Sequence, residues 1–252
     1  MKKILWVLLL CLLLCGCQGD DIESKGEIVI GSDRFEPFSY SDNGEMKGID
    51  VEIAREAFKR MGYTPVFKLI EWQKKDEHLR RGEIDCIWGC FSMNGREDLY
   101  DWVGPYVYSR QVIAVKSDSD IYTLDDLKDK IVAVQATSKA EQTFLSNDEL
   151  KHVRYLYTFS TINEVFTCLS RDYVDAIAGH EAALKTLIKD NDDYRYLDES
   201  ILVSKVGIAF KKGYDEEFLN LLTKTLGDML SDGTIKRIVE TYGFDKRMLE
   251  DE

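Results

Sequence analysis

A nine-residue pattern occurs twice, ninety positions apart, and it limits the chain to few folds. Leu79-Arg80-Arg81-Gly82-Glu83-Ile84-Asp85-Cys86-Ile87 and Leu169-Ser170-Arg171-Asp172-Tyr173-Val174-Asp175-Ala176-Ile177 share Leu, Arg, an aliphatic residue, Asp and Ile in one register. Each reads as a helix end, a turn and a buried strand. Two similar βαβ units, each running from an Asp-x-Ile strand into a polar loop, imply two α/β lobes facing each other across a cleft. The 252 residues suffice for this, since lobes of about 100 to 120 residues can each bury a core.

The most informative polar loop follows the first of these strands. Ile84 to Tyr106 reads IDCIWGCFSMNGREDLYDWVGPY, an apolar run broken at Gly89 and followed by small polar residues and a lone arginine, Arg96. Ligands of open α/β sheets settle beyond the carboxyl ends of the strands, so residues just past Ile87, including Cys90, Ser92 and Arg96, are placed to touch one. Glu27 to Gly31 is a β-branched strand leading into Asp33 and Phe35, and Asn43-Gly44 is a hairpin turn. Ile49, Ile53, Ala57 and Met61 recur at helical spacing up to Gly62, so Asp50 to Met61 is a helix. Val66 to Leu69 is a strand, followed by Trp72 and a charged helix to Arg81.

The second round starts after a strand at Gln111 to Val115. A short helix begins at Thr123, and Lys130 to Val134 is a strand resembling Glu27 to Gly31. In the following Gln135-Ala136-Thr137-Ser138, Ser138 with Glu141 three residues on fits a capping box. Free amides at such a helix start can hold an anion, though a cap can also simply cap. Ala182 to Lys189 reads as helix, Tyr194 to Ser200 as irregular, and Val203 to Phe210 as a strand crossing back between lobes. An amphipathic helix from Glu216 and a last helix to Tyr242 close the chain.

Lys2 and Lys3 precede an apolar run from Ile4 to Leu14, too short to span a bilayer but right for a signal peptide. Leu14-Cys15-Gly16-Cys17 resembles a bacterial lipobox, with Cys17 as the lipidated residue and the polar residues 17–26 as a tether. An ordinary signal peptide is the alternative. The formal charge of -13 becomes -15 once residues 1–16, with their two lysines and no acid, are removed. That balance disfavours nucleic acid as a partner. Cys86, Cys90 and Cys168 then remain. Cys86 and Cys90 would stand roughly 13 Å apart on an extended strand, beyond disulfide reach, and read as buried thiols. The histidines, His78, His152 and His180, are scattered, and no metal or cofactor signature occurs.

Taken in order, these features resemble family 3 solute-binding proteins, receptors of ABC importers for polar amino acids. The resemblance is carried by Gly48-Ile49-Asp50-Val51-Glu52-Ile53-Ala54, Asp33 with Phe35, Trp72, Ile84-Asp85-Cys86-Ile87, Ser92 with Arg96, and Gly104-Pro105-Tyr106. It continues through Gln135 to Ser138, Val174-Asp175-Ala176-Ile177 and Ser231-Asp232-Gly233-Thr234-Ile235. It implies a two-lobed, type II periplasmic-binding-protein-like α/β clamp hinged by two crossing strands. Lobe 1 would be residues 27–112 and 208–252, and lobe 2 residues 113–207. It also implies a monomeric, lipid-anchored receptor outside the cytoplasm that passes a small carboxylate, typically an amino acid, to an ABC permease and ATPase.

Arg96 would then clamp the ligand carboxylate with Ser92 and the amides of Thr137 and Ser138. Phe35 and Trp72 would enclose the rest of the ligand, although aromatics are as readily core. The chain departs from the family pattern in two places. One residue fewer separates Ser92 from Arg96, and His180 stands where the family grips the ligand ammonium with an acid. Either Glu181 takes that role, or His180 accepts as a neutral imidazole, or the ligand has no free α-ammonium group. The rival readings are a dehydratase for a cyclic carboxylic acid, using Asp33, His180 and Glu181 for proton transfer, and a ligand sensor.

Overall fold

The structure, a computed structural model, describes residues 24–189 and 191–250. The leader and Cys17 lie outside them. Its strands are β1 (Glu27–Ser32), β2 (Tyr40–Asp42), β3 (Glu45–Lys47), β4 (Thr64–Leu69), β5 (Cys86–Ser92), β6 (Asp101–Lys116), β7 (Ile131–Gln135), β8 (Tyr155–Phe159), β9 (Ala176–His180) and β10 (Tyr194–Phe210). The helices are α1 (Ile49–Met61), α2 (Lys75–Arg80), α3 (Lys139–Ser146), α4 (Ile162–Ser170), α5 (Glu181–Ile188), α6 (Glu216–Ser231) and α7 (Thr234–Thr241).

The strand order is β4-β1-β5-β10-β6-β9-β7-β8. On one side β4, β1 and β5 run parallel, and on the other β8, β7 and β9 do the same. Between them lie β6 and β10, which pair antiparallel from Lys116–Tyr194 to Asp101–Phe210. The sheet is thus two equivalent trios joined by two long strands. Within each trio the strand that comes first in the chain lies in the middle, so the second round of the chain repeats the first.

The nine-residue echo has a physical cause at equivalent points of the two trios. Asp85 accepts the Val29 amide on its Oδ2 at 2.7 Å and donates its own amide to the Val29 carbonyl. Asp175 does the same with Ile131, again at 2.7 Å. Each aspartate therefore pins the start of the third strand of its trio to the first. The turns before them also match: Gly82 and Asp172 both hold positive φ, at 69° and 59°, and bond back to Leu79 and Leu169.

Local readings hold where the signal is local. The hairpin turns at Asn43 and Gly44, both at positive φ, and α1 ends on Gly62 in the left-handed conformation. The central strands differ from expectation. β6 starts at Asp101, ten residues before Gln111, and Tyr194 to Ser200, read as irregular, belongs to β10. Asp198-Glu199-Ser200 has little strand propensity, and the register slips around Ser200, but β6 supplies the ladder. The helix begun at Thr123 is only a 3-10 turn, Asp125–Leu127. After β10 the chain returns to the first trio, where Phe218, Leu222, Leu226 and Met229 of α6 join the core formed by Ile53, Ala57, Phe58 and Met61 of α1. Cys86, Cys90 and Cys168 are all buried, unpaired thiols.

Candidate ligand-binding cavity

Both trios point the carboxyl ends of their parallel strands at one place. A small cavity opens there, lined from both sides. The first trio contributes Asp33 and Phe35 after β1, Trp72 before α2, Gly89 to Ser92 of β5, and Arg96. The second contributes Gln135, Thr137, Ser138 and Lys139 after β7, Ile162 of α4, and Ala178, Gly179 and His180 of β9. Gln111 enters from the central strand β6. Nine of the ten residues singled out in the sequence for ligand contact thus converge on one cavity.

β5 is buried along its whole length, and this dictates its composition. A Cβ on Gly89 would sit 2.8 Å from the Cβ of Ser32, so only glycine lets β1 pass. The next residue, Cys90, holds a φ of 50°, a conformation seldom adopted by a side-chain-bearing residue. Its amide donates to Asp50 Oδ2 at 2.6 Å, while Tyr106 donates its hydroxyl to Oδ1 of the same carboxylate at 2.7 Å. Asp50, in the first turn of α1, therefore shapes the cavity wall from behind, and burial pushes its carboxyl up to about 7. Burial also raises the Cys90 thiol, which stays protonated.

Arg96 lies over the ring of Phe91 at 5.1 Å and donates to the carbonyls of Ser92 at 3.0 Å and Thr137 at 3.3 Å. The shortened loop from Ser92 turns on Gly95 at positive φ, and the Ser92 hydroxyl is spent on Asn94 at 3.1 Å. The capping element after β7 is half of what its sequence suggests. Ser138 Oγ accepts the Glu141 amide at 3.2 Å, but the Glu141 carboxylate takes the Thr137 amide at 2.6 Å. The Ser138 amide goes to the Gln135 carbonyl at 3.3 Å, so both amides at this helix start have partners. A complete capping box lies instead at Thr161 and Glu164 on α4.

Asp33 is buried and accepts the amide of Gln135 at 2.7 Å, a bond that crosses from the first trio to the second. Burial raises its carboxyl to about 6. Lys75, also buried, lies over Trp72 at 5.0 Å and reaches Thr137 Oγ1 at 3.2 Å, and burial lowers its pKa. Trp72 meets Phe91 edge to face at 5.2 Å, so it packs into the wall and lines the cavity at once.

His180 is the N-cap residue of α5, yet it makes no capping bond and is buried. Its Nε2 meets the Gln111 amide at 2.9 Å, Phe35 packs edge-on at 5.8 Å, and burial beside the charge of Arg96 pushes its pKa down to about 3. A histidine so placed stays neutral near pH 7. Glu181, next along, faces elsewhere. It pairs with Lys185 at 2.6 Å and Arg110 at 3.7 Å and lines a separate groove that includes Tyr108 and Tyr242.

The order of these elements also has counterparts among known proteins. The model of the bacterial extracellular solute-binding proteins, family 3, matches residues 28–246. The chain belongs to that family. Over 252 aligned residues it is 28% identical to the probable amino-acid-binding protein YxeM of Bacillus subtilis, covering 96% of this chain and 95% of the relative. An ancestral arginine-binding protein solved with arginine superimposes with a TM-score of 0.80 at 30% identity, covering 86% of this chain and 98% of that one. An ancestral amino-acid-binding protein, AncCDT-1, described as a precursor of cyclohexadienyl dehydratase, superimposes with a TM-score of 0.76 at 28% identity over 86% of this chain and 95% of its own. The architecture is the two-lobed, type II fold of these periplasmic amino-acid-binding proteins. The sequence pointed to Arg96 and the strand ends, whereas Lys139, Gln111 and Gln135 escaped notice. Gln135 stood inside a noted turn, but a lysine at a helix start and a glutamine in a strand carry no local mark of facing a cavity.

Proposed function

We propose that this protein captures a small carboxylate, an amino acid or a close relative of one, between its two lobes and delivers it to an ABC permease and ATPase. The observation that carries this reading is the convergence of both trios on a cavity containing Arg96, whose guanidinium has donors to spare after its two carbonyl bonds. Arg96 takes the ligand carboxylate, joined by Ser92 once its hydroxyl turns from Asn94, with Thr137 and Ser138 closing over it once Glu141 releases the Thr137 amide. Phe35, Trp72 and Cys90 enclose the remainder, and Asp33 and His180 meet its far or neighbouring groups. Lobe 1 comprises residues 27–112 and 208–252, lobe 2 residues 113–207, and the β6–β10 pair is the hinge. Ligand binding by the relatives supports the same reading.

Outside the cytoplasm the protein acts as a monomer tethered through a lipid on Cys17. Mass spectrometry of the native protein should find a diacylated N-terminal cysteine there, and Cys17→Ser should release the protein from membranes. The capture itself is tested by a thermal-shift panel of amino acids and small carboxylates, with calorimetry on the hits. Ligand at about 100 times its dissociation constant adds roughly 2.7 kcal/mol, a rise of a few degrees, and a panel without any shift would refute the reading. A second reading, dehydration of a cyclic carboxylic acid, is favoured by the raised pKa of the buried Asp33 and by the similarity to AncCDT-1. Turnover of such an acid by the purified protein distinguishes it.

A further inference from the structure

At the carboxyl end of β9 the cavity wall carries a neutral pair. Gln111 and His180 are both buried in the cavity wall, 1% and 7% exposed. The Gln111 amide nitrogen donates to Ser204 Oγ at 3.0 Å and to His180 Nε2 at 2.9 Å, which leaves the imidazole proton on Nδ1. Gln111 Oε1 and His180 Nδ1 then have no hydrogen-bond partner among the described residues. Turning the amide end for end exchanges the roles: the glutamine then offers a free N–H and the imidazole a free lone pair. Either way the pair keeps one unpaired donor and one unpaired acceptor, without charge, on two residues of the cavity wall.

Two further observations limit what fits. Glu181, the nearest acid in sequence, is engaged with Lys185 and Arg110 outside the cavity. Among the described residues lining the cavity, Arg96 and Lys139 are cationic and Asp33 alone is anionic, and Asp33 is already bonded to Gln135. A neutral zwitterion leaves one positive charge of this lining unbalanced, while a ligand of net charge -1, whether an acidic amino acid or an acylated neutral one, matches it, so the choice between these two falls to the neutral pair. Buried polar atoms without partners cost free energy, so the unfilled donor and acceptor favour a ligand that satisfies both.

We propose that Gln111 and His180 select a carboxylate whose neighbouring group is an uncharged secondary amide, as in an Nα-acyl amino acid or a lactam acid such as pyroglutamate, in place of a free α-ammonium. The amide N–H and C=O meet the acceptor and donor of the pair, and the carboxylate meets Arg96. This rests on the reading of the cavity as the ligand site.

The test is titration calorimetry of the ligand-free protein with L-glutamine, L-arginine and L-glutamate, with the Nα-acetyl derivative of each, and with L-pyroglutamate. In at least one matched pair the acylated or lactam compound should bind more tightly by roughly tenfold to a hundredfold, the effect of leaving one buried polar group unpaired. His180→Asp should invert that order, because an ionised carboxylate there prefers the ammonium, and His180→Asn, neutral and still able to donate and accept, should keep it. Free amino acids binding the wild type as tightly as their acylated forms, or more tightly, would overturn the proposal and leave the cavity as the ligand site. If no compound of either series binds, both readings fall.

Discussion

Arg96 is positioned before any ligand arrives. The Phe91 ring beneath it and the carbonyls of Ser92 and Thr137 fix the guanidinium plane, so a carboxylate meets a fork whose rotamer entropy has already been spent. Removing one partner of a desolvated charge pair costs roughly 2 to 5 kcal/mol, which corresponds to about 30-fold to several thousandfold in affinity. Arg96→Ala should therefore weaken ligand binding by that factor in calorimetry while the protein still unfolds cooperatively. Unchanged affinity with a lowered melting temperature would make Arg96 a structural group. That Arg96, in a loop with a glycine after a buried strand, would lie at the cleft was legible in the sequence, and it lines the cavity. The neutrality of His180 was not legible, because its pKa depends on burial beside Arg96, a residue 84 positions away.

Asp85 and Asp175 act at the level of elements: each carboxylate holds an amide of a neighbouring strand. The shared residues of the echo thus have a definite purpose, since β5 and β9 must begin at the right level for their far ends to reach the cavity. Water can replace the acceptor at these partly exposed amides, so losing each bond costs about 0.5 to 1.5 kcal/mol. Asp85→Ala and Asp175→Ala should each lower stability by a similar amount within that range, as measured by urea denaturation. A loss in one and none in the other would mean that the two trios are not equivalent there. Strand and helix positions set by periodicity were largely readable, whereas the full extents of β6 and β10 were not. Strand formation at Tyr194 to Ser200 comes from pairing with β6 some 80 residues earlier, against weak local propensity.

Across the whole molecule, the bond from Gln135 to Asp33 joins the two trios over the cavity, and its carboxylate lies where ionisation is unfavourable. Unfolded, Asp33 would titrate near 3.8, and folded it titrates at about 6. Between those values the unfolded chain gives up the proton first, so this group lowers stability as pH rises through that window, by on the order of 1 to 3 kcal/mol. Asp33→Asn keeps the acceptor for Gln135 and removes the ionisation. The variant should match the wild type near pH 4 and exceed it in stability at pH 7, in denaturant titrations at both values; a difference independent of pH would contradict this. The sequence by itself determined that the chain repeats a βαβ plan, where the polar loops fall, and that Arg96 is central to them, because hydrophobic period, glycine position and turn chemistry are local properties. Only the tertiary structure decided that Glu181 faces away, that Gln111 and His180 form a neutral pair, and that Asp50 shapes the cavity from behind. Each of these depends on which distant strand or helix lies alongside, and burial by distant neighbours sets the charge state of a side chain as firmly as its own chemistry does.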